Sequence, residues 1–277
     1  MAPKKRLASR LRLAAEKYDP VKIAQLIALG APVDAQDDKG STPLMRAAVA
    51  GRIDNMRALV VSGADVDLSD AQGRIAIYWA CAKGNGEAVK LLLGAGADAY
   101  TRARERISLA MVAMQAKSVE CMRMCLPPMD LRQGDELMPN FFMEYAVRCD
   151  APDCLSALIE MEEPLRGQVN TAASMGRAEC LRVLLEAGGD PNERHHSGAS
   201  PALCAVMANH VDCFVLLAES GARMDYEDRD GSTLADMAKK RSPDCLAFMA
   251  ALADRKALMF SLGDERRPAV RMAQMRM

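Results

Sequence analysis

The sequence predicts an all-α solenoid in which helix-turn-helix units stack on one another, joined by short β-hairpin-like fingers. Three observations point there. Half of the 277 residues are hydrophobic but only 4% are aromatic, and a chain built on Ala, Leu and Met favours helices over sheets. A 33-residue period is visible by eye: "DKGSTPLMRAAVAGRIDNMRALVVSGADVD" (38–67) aligns with "AQGRIAIYWACAKGNGEAVKLLLGAGADAY" (71–100), pairing Gly40 with Gly73, Ala48 with Cys81, Gly51 with Gly84 and Gly63 with Gly96. The Ala48 column then extends through Ala15, Ala48, Cys81, Met114, Val147, Ala173, Val206 and Lys239, at intervals of 33, 33, 33, 33, 26, 33 and 33. A repeat of this length is one supersecondary unit that buries its apolar faces only by stacking on its neighbours.

One repeat justifies its elements in order. Thr42 can cap a helix by accepting a backbone N–H, and Pro43 suits the first helical position, where its missing donor costs little. Leu44, Ala47 and Ala48 share one face of the helix that follows, and Gly51 ends it. Asp54 to Val61 read as a second helix with Met56, Leu59 and Val60 as its apolar stripe. Gly63 suits a left-handed C-terminal cap, and "ADVD" leads into an extended turn. The spacing sets eight repeats near 7–34, 37–69, 70–102, 103–135, 136–163, 164–194, 195–227 and 228–258, read as a single domain over 1–258. Residues 259–277 are expected to form a basic, partly disordered tail after a capping helix.

"STPLMRAAVAGRIDNMRALVVSGADVD" and "MGRAECLRVLLEAGGDPN" resemble ankyrin repeats, whose period is 33 and whose first helix starts T-P-L-H-x-A. The resemblance spans roughly residues 7–254. The histidine of that motif is absent throughout; its place is held by Met45, Tyr78, Met111, Glu144, Asn170, Leu203 and Asp236 or its neighbour. In the family it ties the helix start to the adjoining loop by hydrogen bonds. Asn170, Glu144 and Tyr78 are the residues here able to substitute in part.

Two segments depart from the pattern. "CLPPMDLRQGDELMPNFF" (125–142) keeps the phase but is rewritten: Pro127 and Pro128 stand where the second helix stops, Met129 replaces the capping Gly, and Phe141 and Phe142 replace Thr-Pro. The interval of 26 lies later. Only "MEEPLRG" separates the fifth repeat's second helix from the sixth repeat's first, so the fifth repeat lacks its finger and a local kink is expected there.

Composition narrows the function classes. Net charge is -1, so nothing draws the whole chain to nucleic acid, although residues 1–34 and 255–277 each carry +4. No apolar run is long enough to insert in a membrane, and the basic start has no apolar core of a Sec signal. Nine cysteines, odd in number and scattered through helical patterns, suit a reducing, cytoplasmic setting. Five of them recur in "EC" or "DC" at Cys121, Cys154, Cys180, Cys213 and Cys245, four in one register. Adjacent helices are too far apart for disulfides along such a ladder, so it reads as core, whereas Cys149, in a turn, is the thiol expected to be exposed and reactive. The His195–His196 pair lacks a third ligand, and no catalytic, cofactor or metal constellation is apparent.

The resemblance implies a non-enzymatic, monomeric scaffold or adaptor that binds another protein through finger tips and the exposed positions of first helices. Carried onto this sequence, these are Lys39, Ser41, Gln72, Arg74, Lys83, Arg104, Gln115, Arg148, Met175, His196 and Met207, with Asp38, Val49, Ala50, Ala82, Ala116 and Ser174 beside them. Arg74, Lys83, Arg102 and Arg104 make the stripe from Lys39 to Arg148 basic, which suits an acidic segment of a partner. Flexible Met175 and Met207 suit adaptable recognition. The alternative is a host-targeting protein exported by a non-Sec route.

Overall fold

The computed structural model describes residues 2–17, 19–100, 107–126, 141–161, 165–194, 198–226 and 231–265, and every element of regular length among them is helical. The chain divides into two compact units, Met1–Pro164 and Leu165–Met277. The division falls within "MEEPLRG", where the repeat interval shortens.

In the N-terminal unit, helices come in pairs. These are α1 (Ala2–Glu16) and α2 (Pro20–Ala28), α3 (Pro43–Val49) and α4 (Ile53–Val61), α5 (Ala76–Ala82) and α6 (Gly86–Gly94), α7 (Leu109–Gln115) and α8 (Val119–Cys125), and α9 (Phe141–Arg148) and α10 (Pro152–Ile159). First helices α1, α3, α5, α7 and α9 pack successively into one layer, and second helices α2, α4, α6, α8 and α10 into another. The C-terminal unit repeats this with α11 (Gln168–Met175) and α12 (Ala178–Glu186), α13 (Pro201–Ala208) and α14 (Val211–Glu219), and α15 (Leu234–Arg241) and α16 (Pro243–Glu265). The last helix carries residues 259–265, expected in the tail, as a continuation of its axis.

The core lies between the layers. Leu44, Ala47, Ala48, Met56 and Leu59 are fully buried, as are their counterparts Ile77, Ala80, Cys81, Val89 and Leu92. Each large side chain removed from water contributes about 1.5–3 kcal/mol. Val60, expected in the same stripe, is only half-buried.

Thr42 caps α3, its Oγ1 accepting from the Met45 N–H at 3.2 Å, and Pro43 follows at the first helical position. Ser108, Ser200 and Thr233 cap α7, α13 and α15 in the same way. The residue turning the chain from first to second helix is left-handed whether or not it is glycine: Gly51, Gly84, Lys117, Asp150, Gly176 and Asn209 all have φ between 53° and 68°. Three of these positions therefore bear a strain that glycine avoids.

The fingers are one-turn hairpins. Asp37 N donates to Ser41 O and Gly40 N to Asp37 O; Asp70 N donates to Arg74 O and Gly73 N to Asp70 O. Ala71 N donates to Lys39 O and joins the two fingers. Gly40 is required here: with φ +76°, a Cβ on it would lie 2.9 Å from Ala71 N. The preceding loops also interlock, since Asp34 Oδ1 accepts from Asp65 N and Asn192 Oδ1 from Arg223 N, each 31 residues on.

Asn55, fully buried at the start of α4, donates its Nδ2 to the carbonyls of Ala14, Ala15 and Lys17 at the end of α1. Ala14 O and Lys17 O also accept from Lys17 N and Asp19 N, whereas Ala15 O, in the last helical turn, relies on Asn55. The same column holds Ala88, Cys121, Cys154, Cys180 and Cys213. Cys213 Sγ points at Ala172 O across 4.0 Å, with the sequence separation of 41 that Asn55 has from Ala14. The ladder cysteines are buried, and Cys213 sets a small side chain with a weak donor against the end of the preceding first helix.

Asn55→Ala removes a donor from these buried carbonyls, leaving that of Ala15 without one, and is expected to lower unfolding free energy by about 2 kcal/mol. Asn55→Asp, which sets a carboxylate against those oxygens, is expected to cost more. Urea denaturation of the two variants checks the order; an alanine variant as stable as the parent removes the role assigned to Asn55.

Candidate partner-binding surface

The end of each first helix is exposed at one column. Val49, Ala82, Gln115 and Arg148 close α3, α5, α7 and α9 at intervals of 33, and all four are exposed. Local sequence explains this. The marker residue before each one packs inward, and the left-handed turn two residues after it reverses the chain, so the last helical side chain points outward. Beside them, Lys83 and the finger residues Lys39 and Gln72 are exposed, and Ser41 is half-buried. In the C-terminal unit the column gives Ser174 and Met207, both exposed, with Met175 half-buried next to Ser174. Arg104 and His196, together with Arg102 and His195, lie outside the described residues.

Arg74, expected at the partner-binding surface, is turned back on its own finger: its Nε donates to Asp70 Oδ2 at 2.8 Å, and the Asp70 side chain is almost wholly buried. Its guanidinium also lies 4.4 Å from the centre of the Trp79 ring and donates to Gln72 Oε1 at 2.7 Å. A guanidinium held by a buried carboxylate and an aromatic face gives up those partners before it can meet another. Lys39 and Lys83 are exposed cations of this part of the surface, and Arg148 lies 3.6 Å from Glu144 on its own helix.

Trp79 and Tyr145 were not singled out from sequence. They occupy the same column, two residues before the marker, where the second and fourth repeats have Arg46 and Val112. Tyr78 packs edge-on to Trp79, and Gln115 Nε2 donates to Tyr145 Oη at 2.5 Å, tying the fourth repeat to the fifth. Phe141 stacks on Tyr145. The chain's single Trp, sharing a repeat column with Tyr145, is the signal that could have found this cluster.

Arg46 links the first repeat to the second: its guanidinium meets Glu16 of α1 and, at 2.6 Å, Asp37 Oδ2 of its own finger. Asp37 Oδ1 accepts from Lys39 N and Ser41 N, both at 2.9 Å. Burial alone would raise the Asp37 carboxyl, but Arg46 and these two N–H groups outweigh it and hold it below its ordinary value.

At the start of α11 the missing Thr-Pro is replaced from the next finger. Glu193 accepts from Gly167 N at 2.9 Å and Asn170 N at 2.8 Å, capping the helix from 23 and more residues away. Asn170 Nδ2 in turn donates to Glu193 O at 3.0 Å. Asn170 thereby makes the bond between helix start and adjoining loop that the absent histidine would make.

Of the nine free cysteines, Cys81, Cys121, Cys125, Cys154, Cys180, Cys213 and Cys245 are buried. Burial pushes Cys154 and Cys213 up to about 11. Cys149, expected to be exposed, is half-buried against Tyr145, and Cys204, not singled out from sequence, is accessible to the same extent. Among the described residues no three His, Cys, Asp or Glu side chains are placed to hold a metal ion.

A family model described as Ankyrin repeats (3 copies) matches residues 11–103 and 169–257. The chain is 32% identical over 85 residues to the human "Ankyrin repeat domain-containing protein 37", an alignment covering 30% of this chain and 54% of that one. It is 32% identical over 106 residues to "Protein PhlB" of Serratia liquefaciens, covering 35% of this chain and 47% of that protein. The chain thus spans about half the length of these relatives. The crystal structure of the human ASB11 ankyrin repeat domain is similar over 86% of this chain and 96% of that one, at 23% identity and a TM-score of 0.46.

Two outcomes are expected. Asp37→Asn keeps the acceptor for Lys39 and Ser41 but removes the charge facing Arg46. The parent is expected to exceed it in stability by about 1 kcal/mol near neutral pH. Because the folded-state value is lowered, that margin is present above the ordinary 3.8 and is lost as pH falls through and below it. Denaturation curves between pH 7 and 2.5 test this; a margin independent of pH defeats it. Brief alkylation of the native protein is expected to modify Cys149 and Cys204 well ahead of the ladder cysteines, with peptide mapping as the readout.

Proposed function

This chain belongs to the ankyrin-repeat family, and from that premise we propose that it is a non-enzymatic scaffold or adaptor that grips a partner protein along its fingers and first-helix ends. Ankyrin repeats bind other proteins. The observation that carries the finer reading is the column Val49, Ala82, Gln115 and Arg148, which leaves one side chain per repeat exposed at constant sequence spacing, with the fingers of the second and third repeats hydrogen-bonded to each other. A pre-ordered row of this kind meets an extended surface without the cost of ordering loops on binding. The binding residues are Lys39, Ser41, Gln72, Lys83, Gln115 and Arg148 in the N-terminal unit and Met175 and Met207 in the C-terminal unit. Arg104 and His196 belong to the proposal through the register alone.

The partner segment is acidic where it crosses Lys83 and Arg148. The protein acts as a monomer in a reducing compartment; an odd number of cysteines spread through the helices, seven of them buried, supports the compartment. Among the described residues no helix is long and apolar enough to cross a membrane.

Affinity purification from the native cell followed by mass spectrometry supplies the partner, and variants then locate the contact. Lys83→Glu combined with Arg148→Glu is expected to weaken binding at least tenfold at low salt, whereas Arg57→Glu and Arg182→Glu, on exposed faces of second helices, leave it unchanged. Equal affinity of the first pair and the parent, by calorimetry, would sink the proposed surface.

A further inference from the structure

Two cysteines, one outside the ladder register and one a turn beyond it, meet inside the N-terminal unit. Cys81 lies in the marker column of α5, and Cys125 is the last helical residue of α8. Their Sγ atoms are 3.6 Å apart, and neither side chain has appreciable contact with solvent. The contact joins the first helix of the third repeat to the second helix of the fourth, across a separation of 44 residues. Cys121, one helical turn before Cys125, is buried on the same side of α8 and lies close enough for its charge to bear on Cys81.

We infer that Cys81 and Cys125 form a redox site, at which a peroxide converts two buried thiols into a reversible intrachain disulfide stapling these two repeats together. A disulfide sets its sulfurs at about 2.05 Å, so the pair must close by about 1.5 Å. Cys125 is well placed to supply that movement. Its helix ends there, Leu126 is already extended at ψ 121°, and a helix end opens at far lower free energy than the whole domain. The same opening admits a molecule as small as hydrogen peroxide.

The two sulfurs have different roles. Either thiol can donate to the other; with Cys81 as donor, Cys81 is raised and Cys125 is held below its ordinary range in spite of burial. Cys125, at the helix end where the opening occurs, is the sulfur that a peroxide reaches and so the nucleophile. Its thiolate attacks the peroxide, the O–O bond breaks, and a sulfenic acid forms with release of hydroxide. The Cys81 sulfur then attacks the sulfenic sulfur. The S–S bond forms, the S–O bond breaks, and the departing hydroxide leaves as water with a proton from the thiol. Two thiols and one hydrogen peroxide give one disulfide and two waters. A dithiol restores the pair by exchange. In a reducing compartment such a bond is transient, which is the usual form of cytosolic disulfides.

The test uses the full chain. It is freed of reductant, treated with a small excess of hydrogen peroxide, alkylated, digested without reduction and mapped by mass spectrometry. The expected product is a linked peptide pair containing Cys81 and Cys125, lost on addition of dithiothreitol. The linked form should melt roughly 5–10 °C higher than the reduced one. Cys81→Ala and Cys125→Ala should each abolish both the linked peptides and the rise in Tm. The assignment is overturned if Cys81 and Cys125 remain alkylatable while Cys149 and Cys204 oxidise, or if Cys81 links to Cys121 or to another molecule. The map of the parent protein decides this even where a variant fails to fold.

Discussion

A helix of seven residues is mostly ends, and the architecture follows from that. The first helices α3, α5 and α7 each have seven residues, so most of their N–H and C=O groups find no partner inside the helix. Because these helices form the interior layer, water cannot supply the missing bonds, and each orphan must be met by a residue placed for it. Thr42, Ser108 and Ser200 meet the N-terminal groups from the preceding loop, and Glu193 meets those of α11 from the following finger. The left-handed turn residue folds the chain back onto the last carbonyls. Asn55 meets the carbonyls that remain at the end of α1.

This division of labour explains how much of the molecule was legible in its sequence. Columns that bond or bury must recur, and recurrence at a fixed interval is visible in a single chain. The helix pairs, the capping residues, the turn column and the buried ladder could all be read that way. Lys117, Asp150 and Asn209 show the limit: the turn conformation persists where the glycine that advertises it has gone, because neighbouring repeats over-determine the backbone. What could not be read were contacts between columns. Arg74 looked like a surface cation because nothing in its own repeat announces that Asp70 folds beneath it and Trp79 beside it. The Cys81–Cys125 contact joins two different columns in two different repeats, so no periodic pattern contains it.

The same separation bears on recognition. The residues that hold the stack, such as Thr42, Asn55 and Asp70, are buried, and those that close the first helices are exposed in a different column. Exposed positions can therefore vary from Val49 to Arg148 with little effect on the packing beneath. Tyr145 and Gln115 show that display and support can still meet, since their hydrogen bond fixes an otherwise free side chain at the surface. Exposed pairs such as Lys90 with Glu120 add little to stability and serve mainly to keep the outer faces wet.

The cap that Glu193 places on α11 also has a direction in time. The helix starts at Gln168, but the carboxylate that completes it lies some 25 residues later, and Asn55 stands in the same relation to α1. As the chain leaves the ribosome, each of these first helices must wait, with its polar groups unmet, until the next repeat has been made. The repeat being synthesised is thus the least ordered at every moment, and the one before it becomes stable only when its successor arrives. Order advances one repeat behind synthesis, which keeps a short segment, and never a long one, exposed to misfolding.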